Sequence, residues 1–243
     1  MIRLTDFSIG YGSRMLICGA NTEFSAGKLT ALIGRNGSGK STLLRAIAGL
    51  NNRYSGAIYA GGTDISTLKP SQIARTLAFV TTERIRIPNM RCGDIVAMGR
   101  APYTNWIGAL TDADRKIACE SLDAVGMAGY RERTMDTMSD GECQRIMIAR
   151  ALAQDTPVIL LDEPTSFLDM PGRYELAGLL GRLAHDRGKC IVFSTHELDI
   201  ALRMCDNVAL VADGTIYNMT ASEMESSDVL DRLFGSADSC YRK

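Results

Sequence analysis

Gly34-Arg35-Asn36-Gly37-Ser38-Gly39-Lys40-Ser41-Thr42 fits the pattern G-x-x-x-x-G-K-[ST] of a phosphate-binding loop. Its flanks lift it above a bare pattern match. Leu29-Thr30-Ala31-Leu32-Ile33 before it is short, apolar and strand-like. After it, Leu43, Leu44, Ile47 and Ala48 share one helical face, and Gly49 stands where a helix ends. The required order of strand, loop and helix is therefore present. Gly34, Gly37 and Gly39 let the backbone bend and leave room for phosphates, so that successive N–H groups form an anion nest. The helix N-terminus adds partial positive charge. Lys40 supplies a full charge to the outer phosphates, and Ser41 offers a hydroxyl to Mg²⁺. A plain glycine-rich turn would need neither Lys-Ser nor these flanks.

The chain has 243 residues, 46% of them hydrophobic and 6% aromatic, enough to bury the core of one large α/β domain. A net charge of -1 gives no bulk attraction to nucleic acid or to an anionic membrane. The first residues, Met1-Ile2-Arg3-Leu4-Thr5-Asp6, lack the apolar run of a signal peptide, and no stretch reaches the length of a membrane-spanning helix. The seven cysteines form no C-x-x-C pair, which points to reduced thiols in a cytosolic protein, with Cys143 and Cys190 read as small core residues.

Residues 1 to 30 read as β structure, turned at Tyr11-Gly12-Ser13, with further short β segments from Leu50 to Leu68, broken by Gly56, and at Leu77-Ala78-Phe79-Val80. From about 83 to 155 the pattern turns helical. One helix is expected near Asp94 to Gly99. A second should be capped by Thr111-Asp112-Ala113-Asp114 and ended by Gly126, and a third capped by Ser139-Asp140-Gly141-Glu142 and stopped by Pro157. Val158-Ile159-Leu160-Leu161 is a continuous apolar run, as a parallel strand covered on both faces requires. A helix over Leu176 to Leu183, a strand over Ile191 to Phe193, a helix over Leu198 to Met204, a hairpin around Asp213-Gly214 and a tail helix near Asp228 to Phe234 complete the reading.

The apolar strand ends in Asp162-Glu163-Pro164. Carboxylates at the C-terminal end of a parallel strand face the ligand crevice. There Asp162 is placed to hold Mg²⁺, and Glu163 to orient and deprotonate an attacking water.

The ordered series Gly34–Thr42, Met138-Ser139-Asp140-Gly141-Glu142, Leu160–Pro164, Ser166-Phe167-Leu168-Asp169 and Ser194-Thr195-His196 resembles the nucleotide-binding subunit of ABC transporters over nearly the whole chain. The resemblance implies an α/β P-loop NTPase of ABC type: a mixed sheet core, an N-terminal antiparallel β subdomain and a helical subdomain inserted at about 83–155, all within one domain of residues 1–243. It implies an ATPase using ATP and Mg²⁺. The loop from Gly34 through Arg35, Asn36, Ser38 and Thr42 would hold the phosphates. Tyr11 would stack on adenine. Ser139, Gly141 and Glu142 would form the phosphate-contacting turn of the opposite subunit in a head-to-tail homodimer. Asp169 would couple the two sites, and His196 would contact the γ-phosphate. His185, without a motif around it, reads as a surface residue.

The sequence departs from the family pattern at two places. Asp140 and Glu142 stand where the signature usually has Gly and Gln. Thr82, after Leu77–Val80, stands where a glutamine is usual, and it would offer its shorter oxygen toward Mg²⁺. Gly99-Arg100-Ala101-Pro102-Tyr103 looks like a segment of the importers for iron–siderophore, haem and cobalamin. The implied partners are a polytopic membrane permease and, through it, a substrate-binding protein, with the chain peripheral on the cytoplasmic face of the inner membrane. Rival readings are a soluble ABC ATPase of assembly or repair, a gating subunit that barely hydrolyses, and a simple P-loop kinase.

Overall fold

The computed structural model describes residues 1–83 and 87–230. An antiparallel sheet opens the chain: β1 (Ile2–Tyr11), β2 (Arg14–Phe24), β4 (Tyr54–Ala60) and β5 (Thr63–Asp64) lie in the order β2-β1-β4-β5. The turn at residues 12 and 13 falls where the sequence puts it. Gly56, however, does not break a strand. β4 runs through it at φ +84°, opposite a register shift in β1 between Thr5 and Ser8. A Cβ at residue 56 would meet the Asp6 carbonyl oxygen at 2.3 Å, so glycine there accommodates a β-bulge.

The second sheet has the order β10-β9-β3-β8-β7-β6. Its strands are β3 (Lys28–Ile33), β6 (Leu77–Val80), β7 (Val158–Leu161), β8 (Cys190–Ser194), β9 (Asn207–Ala212) and β10 (Thr215–Thr220). All neighbours are parallel except β9 and β10, which form the expected hairpin. Successive side chains leave a strand on opposite faces. Val158 and Leu160 pack with the antiparallel sheet and the helix α1 (Lys40–Ile47), whereas Ile159 and Leu161 pack toward the helices α5 (Asp140–Ala153) and α6 (Met170–Arg187). Two cores flank one sheet, which explains why β7 reads as unbroken apolar sequence.

Between β6 and β7 the chain forms α3 (Cys92–Ala97), a 3₁₀ turn (Met98–Tyr103), α4 (Asp112–Ala124) and α5. The helix expected near Asp94 to Gly99 thus starts earlier and tightens at Met98. Thr111 and Ser139 both cap as their sequences require, each side chain accepting from the third N–H while the acid at that position accepts from the cap's N–H. α6 is much longer than Leu176 to Leu183. Asp169 caps it by accepting from Gly172 N–H at 3.0 Å, Pro171 fits its first turn, and Gly188 at φ +61° ends it. α2 (Pro70–Thr76), α7 (Leu198–Met204) and α8 (Ala221–Ser226) complete the helices named here. The tail helix expected near Asp228 to Phe234 falls largely outside the described residues. No described helix is long and apolar enough to cross a membrane. Cys143 and Cys190 are buried, as expected.

The Gly99–Tyr103 segment is built for packing. A Cβ at Gly99 would meet Arg150 O at 2.2 Å. Arg100 is buried, donates to Ala153 O at 2.9 Å and pairs with buried Asp114 at 2.9 Å. Tyr103 stacks under Arg100 and donates to Gln154 O. Asp114 is held well below the usual carboxylate range, at about 2, by the Thr111 hydroxyl, then the Thr111 N–H, then Arg100. A depressed acid contributes stability that is complete above its unfolded value, 3.8, and lost as pH falls through the folded one. Denaturation followed by circular dichroism is therefore expected to lose stability between about pH 4 and pH 2, and Asp114→Asn should flatten that limb while lowering stability at neutral pH by stranding Arg100. An unchanged acid limb in Asp114→Asn would contradict this.

Candidate functional site

Parallel register gathers the site. Val80 lies opposite Leu161, Leu161 opposite Phe193, and Leu32 opposite Ser194. The segments after β3, β6, β7 and β8 therefore leave one edge of the sheet together. These are Gly34–Thr42, Thr81–Thr82, Asp162–Glu163 and Thr195–His196. Helix α1 points its N-terminus at this edge. Carboxyl ends of parallel strands at a change of winding direction are where open α/β sheets place ligands.

The glycine loop has the backbone its sequence requires: Gly34, Gly37 and Gly39 all have positive φ, of 149°, 76° and 111°. Lys40 is only 5% exposed, and its Nζ donates to Gly34 O at 2.9 Å and Arg35 O at 3.4 Å. Burial lowers its pKa, while Glu163 and then Asp162 oppose that shift. Ser38 Oγ is buried without a hydrogen-bond partner inside the loop. An orphaned hydroxyl and a buried ammonium satisfied only by loop carbonyls fit a cradle for a polyanion.

Asp162 is 3% exposed and accepts at Oδ1 from Ser41 Oγ at 2.9 Å and Ser194 Oγ at 2.7 Å. The Ser41 hydroxyl and the Asp162 carboxylate thus meet within hydrogen-bond distance beside the loop. Hard oxygen donors of this kind suit Mg²⁺, which takes one or two protein oxygens plus phosphates and water. Thr82 is half-buried at the same edge.

Glu163 has φ +47°, an uncommon backbone for a side-chain-bearing residue. It is held by its N–H donating to Ser194 Oγ at 2.8 Å and by Ser166 Oγ, 2.9 Å from its carbonyl and 3.1 Å from Oε2. Ser194 and Ser166 are thus positioning groups to which residue-by-residue reading assigned no role. The signal for Ser194 was a lone hydroxyl ending an apolar strand. His196 is exposed just beyond β8, where Thr195 N–H donates to Leu32 O. Tyr11 is 58% exposed at the end of β1, with its hydroxyl 3.2 Å from Thr42 Oγ1.

The remaining candidate residues lie together elsewhere. Ser139, Gly141, Glu142, Leu168, Asp169 and Gly172 line a cleft of about 230 Å³ whose wall includes none of residues 34–42. Glu142 carries the capping bond to Ser139, and its pKa is lowered by the Ser139 N–H first and the Ser139 hydroxyl second. Its charge is thereby committed to the helix end. Asp140, half-buried, makes interactions of its own. His185 is exposed, as expected, but pairs with Asp206 at 2.8 Å at the far end of the sheet.

Residues 6–166 match the ABC transporter family model. The chain is 45% identical to an uncharacterized ABC transporter ATP-binding protein of Methanocaldococcus jannaschii, covering 99% of this chain and 83% of the relative. It is 36% identical to the iron(3+)-hydroxamate import ATP-binding protein of Bacillus subtilis, over 94% of this chain and 86% of the relative. Among solved structures it is similar to a dimeric ATP-binding cassette in a post-hydrolysis state with ADP and Pi. There the TM-score is 0.76 at 25% identity, covering 91% of this chain and 99% of the other.

Proposed function

Because this chain belongs to the ABC transporter family and is an ATP-hydrolysing subunit of it, we propose that it powers uptake of an iron–siderophore, haem or cobalamin through a separate membrane permease, as a head-to-tail homodimer. The observation that carries the dimer is the separation just described. Phosphate cradle and carboxylates share one sheet edge, whereas Ser139, Gly141 and Asp169 line a different cleft. ATP held by Gly34–Thr42 of one subunit would be closed over by the N-terminus of α5 of the other, where the helix dipole favours an anion. The names of relatives such as the hydroxamate importer of Bacillus subtilis support the cargo class.

In this reading Ser41, Asp162 and Thr82 would hold Mg²⁺, which would neutralise phosphate charge. Glu163 takes a proton from a water whose oxygen attacks the γ-phosphorus as the bond to the ADP oxygen breaks. His196 holds the γ-phosphate and water in line. In this reading the helices from Cys92 to Ala153 move as a subdomain when the dimer closes. The chain sits peripherally on the cytoplasmic face of the membrane, and a substrate-binding protein meets it only through the permease.

An apolar groove of about 240 Å³ supports the permease partner. Ala48, Leu50, Pro70, Ile73, Phe79 and Gln154 line it, beside the segment that carries Thr82. Leu50 on its rim is 66% exposed. An amphipathic helix laid in such a groove is a common recognition mode. Copurification with a polytopic membrane protein distinguishes this reading from a soluble ATPase of assembly or repair. Leu50→Asp should keep ATPase activity in the isolated subunit and lose stimulation by the permease in liposomes. Full stimulation of Leu50→Asp would place the permease elsewhere.

A further inference from the structure

Arg173, on the first turn of α6, joins two segments that flank the hydrolytic site. Its Nε donates to Leu168 O at 2.7 Å, the carbonyl just before Asp169. Its Nη1 lies 2.7 Å from Glu197 Oε1, directly after His196. The Glu197 side chain is 12% exposed and that of Arg173 27%. Among the described residues neither carboxylate oxygen of Glu197, both buried, has a hydrogen-bond partner, so the Arg173 charge 2.7 Å from Oε1 is what makes this carboxylate tolerable at its position. Glu197 is fixed further by its N–H, which donates to Thr195 Oγ1 at 3.1 Å. One rigid guanidinium thus spans the segment 166–169, which follows Glu163, and the segment 195–197, which carries His196. The guanidinium donates to the carbonyl through Nε while its Nη1 side sets the charge against the carboxylate, and a lysine ammonium on its single stem cannot match both directions.

We propose that Arg173 is a positioning residue for hydrolysis. Through the Arg173–Glu197 bridge, the seating of Leu168–Asp169 against the other subunit sets the position of His196 in its own subunit. The two ATP sites of the dimer are then coupled within each chain through this pair as well as across the interface. This rests on the reading that Glu163 and His196 act on ATP and that Asp169 faces the partner. Among the described residues, the bridge makes no hydrogen bond or ion pair with Gly34–Thr42, so ATP binding to the free subunit should not depend on it.

The test compares Arg173→Met, Glu197→Gln, the double variant and Arg173→Lys with the parent chain, with Glu163→Gln as control. Initial rates against ATP concentration, titration with a fluorescent ATP analogue and melting curves are measured on each. Each single variant should lower kcat about 10- to 100-fold, the range expected when a supporting group that orients a site is removed. The double variant should fall no further, because one bridge is lost only once. The Hill coefficient for ATP should drop toward that of independent sites, with analogue affinity close to the parent's; Arg173→Met, which strands the Glu197 carboxylate, should melt lowest, and Glu197→Gln and the double variant closer to the parent. Arg173→Lys, which keeps the charge but not the fork, should recover only part of kcat.

Additive losses in the double variant, kcat losses that rank with melting temperature across all the variants, or a fall in analogue affinity would reduce the bridge to a structural contact. If Glu163→Gln is inactive while Arg173→Met and Glu197→Gln turn over like the parent, the bridge alone is wrong. If Glu163→Gln itself hydrolyses at the parent rate, the site reading fails and the bridge proposal falls with it.

Discussion

Glu163→Gln should bind MgATP as the parent does, lose hydrolysis and accumulate as a closed dimer. The substitution keeps size and shape and removes the basic oxygen. Glu163 N–H would still donate to Ser194 Oγ, and the backbone at φ +47° would still be held by Ser194 and Ser166. Lys40, Ser41 and Asp162 are untouched, so the groups proposed to hold the triphosphate remain. General-base assistance is worth about 10²–10⁴-fold, and turnover should fall by at least that order. ATP that is bound but not cleaved would keep bridging one subunit's glycine loop to Ser139 and Gly141 of the other. Size-exclusion chromatography with and without MgATP reads this directly. Ser139→Arg in the same chain is the control, because a bulky cation at the N-terminus of α5 blocks the phosphate approach. That variant also loses the cap to Glu142 N–H, worth about 1 kcal/mol, so its melting curve is taken alongside. A Glu163→Gln chain that stays monomeric at saturating ATP, or that hydrolyses at the parent rate, removes Glu163 or the dimer from the mechanism.

Local chemistry is what made most of this architecture readable before any coordinates. The glycine loop needs positive φ at Gly34, Gly37 and Gly39, and no other residue type supplies it without strain. Val158–Leu161 is apolar throughout because cores lie on both sides of it. The Thr111 and Ser139 caps are closed in sequence, each within four residues. What sequence alone left out is what distant segments decide together. The start of α6 was missed because Asp169 was read for its chemistry, while its side chain also caps the helix. Gly56 was taken for a strand break because its partner, the bulge at Asp6, lies fifty residues upstream. Ser194 and Arg173 gained roles only when β7, β8 and α6 came side by side. The Gly99–Tyr103 segment shows the converse. Its residue types resemble an importer group's, yet in this fold Gly99, Arg100 and Tyr103 each have a packing partner within the chain.

Replacing Lys40 by alanine should remove tight ATP binding. In the free protein Nζ is nearly buried, and its partners are two neutral carbonyls, Gly34 O and Arg35 O. Burial pushes its pKa down, the direction that disfavours the charge. Glu163 and Asp162 pull the other way, so the loop holds a cation whose hydrogen-bond partners are neutral, and a triphosphate offers full negative charge in their place. A hydrogen bond to a charged group is worth about 1.5–3 kcal/mol, which is roughly 10- to 150-fold in affinity for a single bond to phosphate. Lys40→Met keeps most of the stem volume and separates lost charge from lost packing. Both variants should melt near the parent temperature without nucleotide, since what they remove is a desolvated charge. They should differ from it with nucleotide: a ligand at about 100 times its Kd stabilises by about 2.7 kcal/mol, and the variants should forfeit most of that shift. Calorimetric titration and melting curves with MgATP give two independent readings of the same loss. If Lys40→Ala and Lys40→Met both bind ATP with parent affinity, the cradle at Gly34–Thr42 is not where the outer phosphates sit.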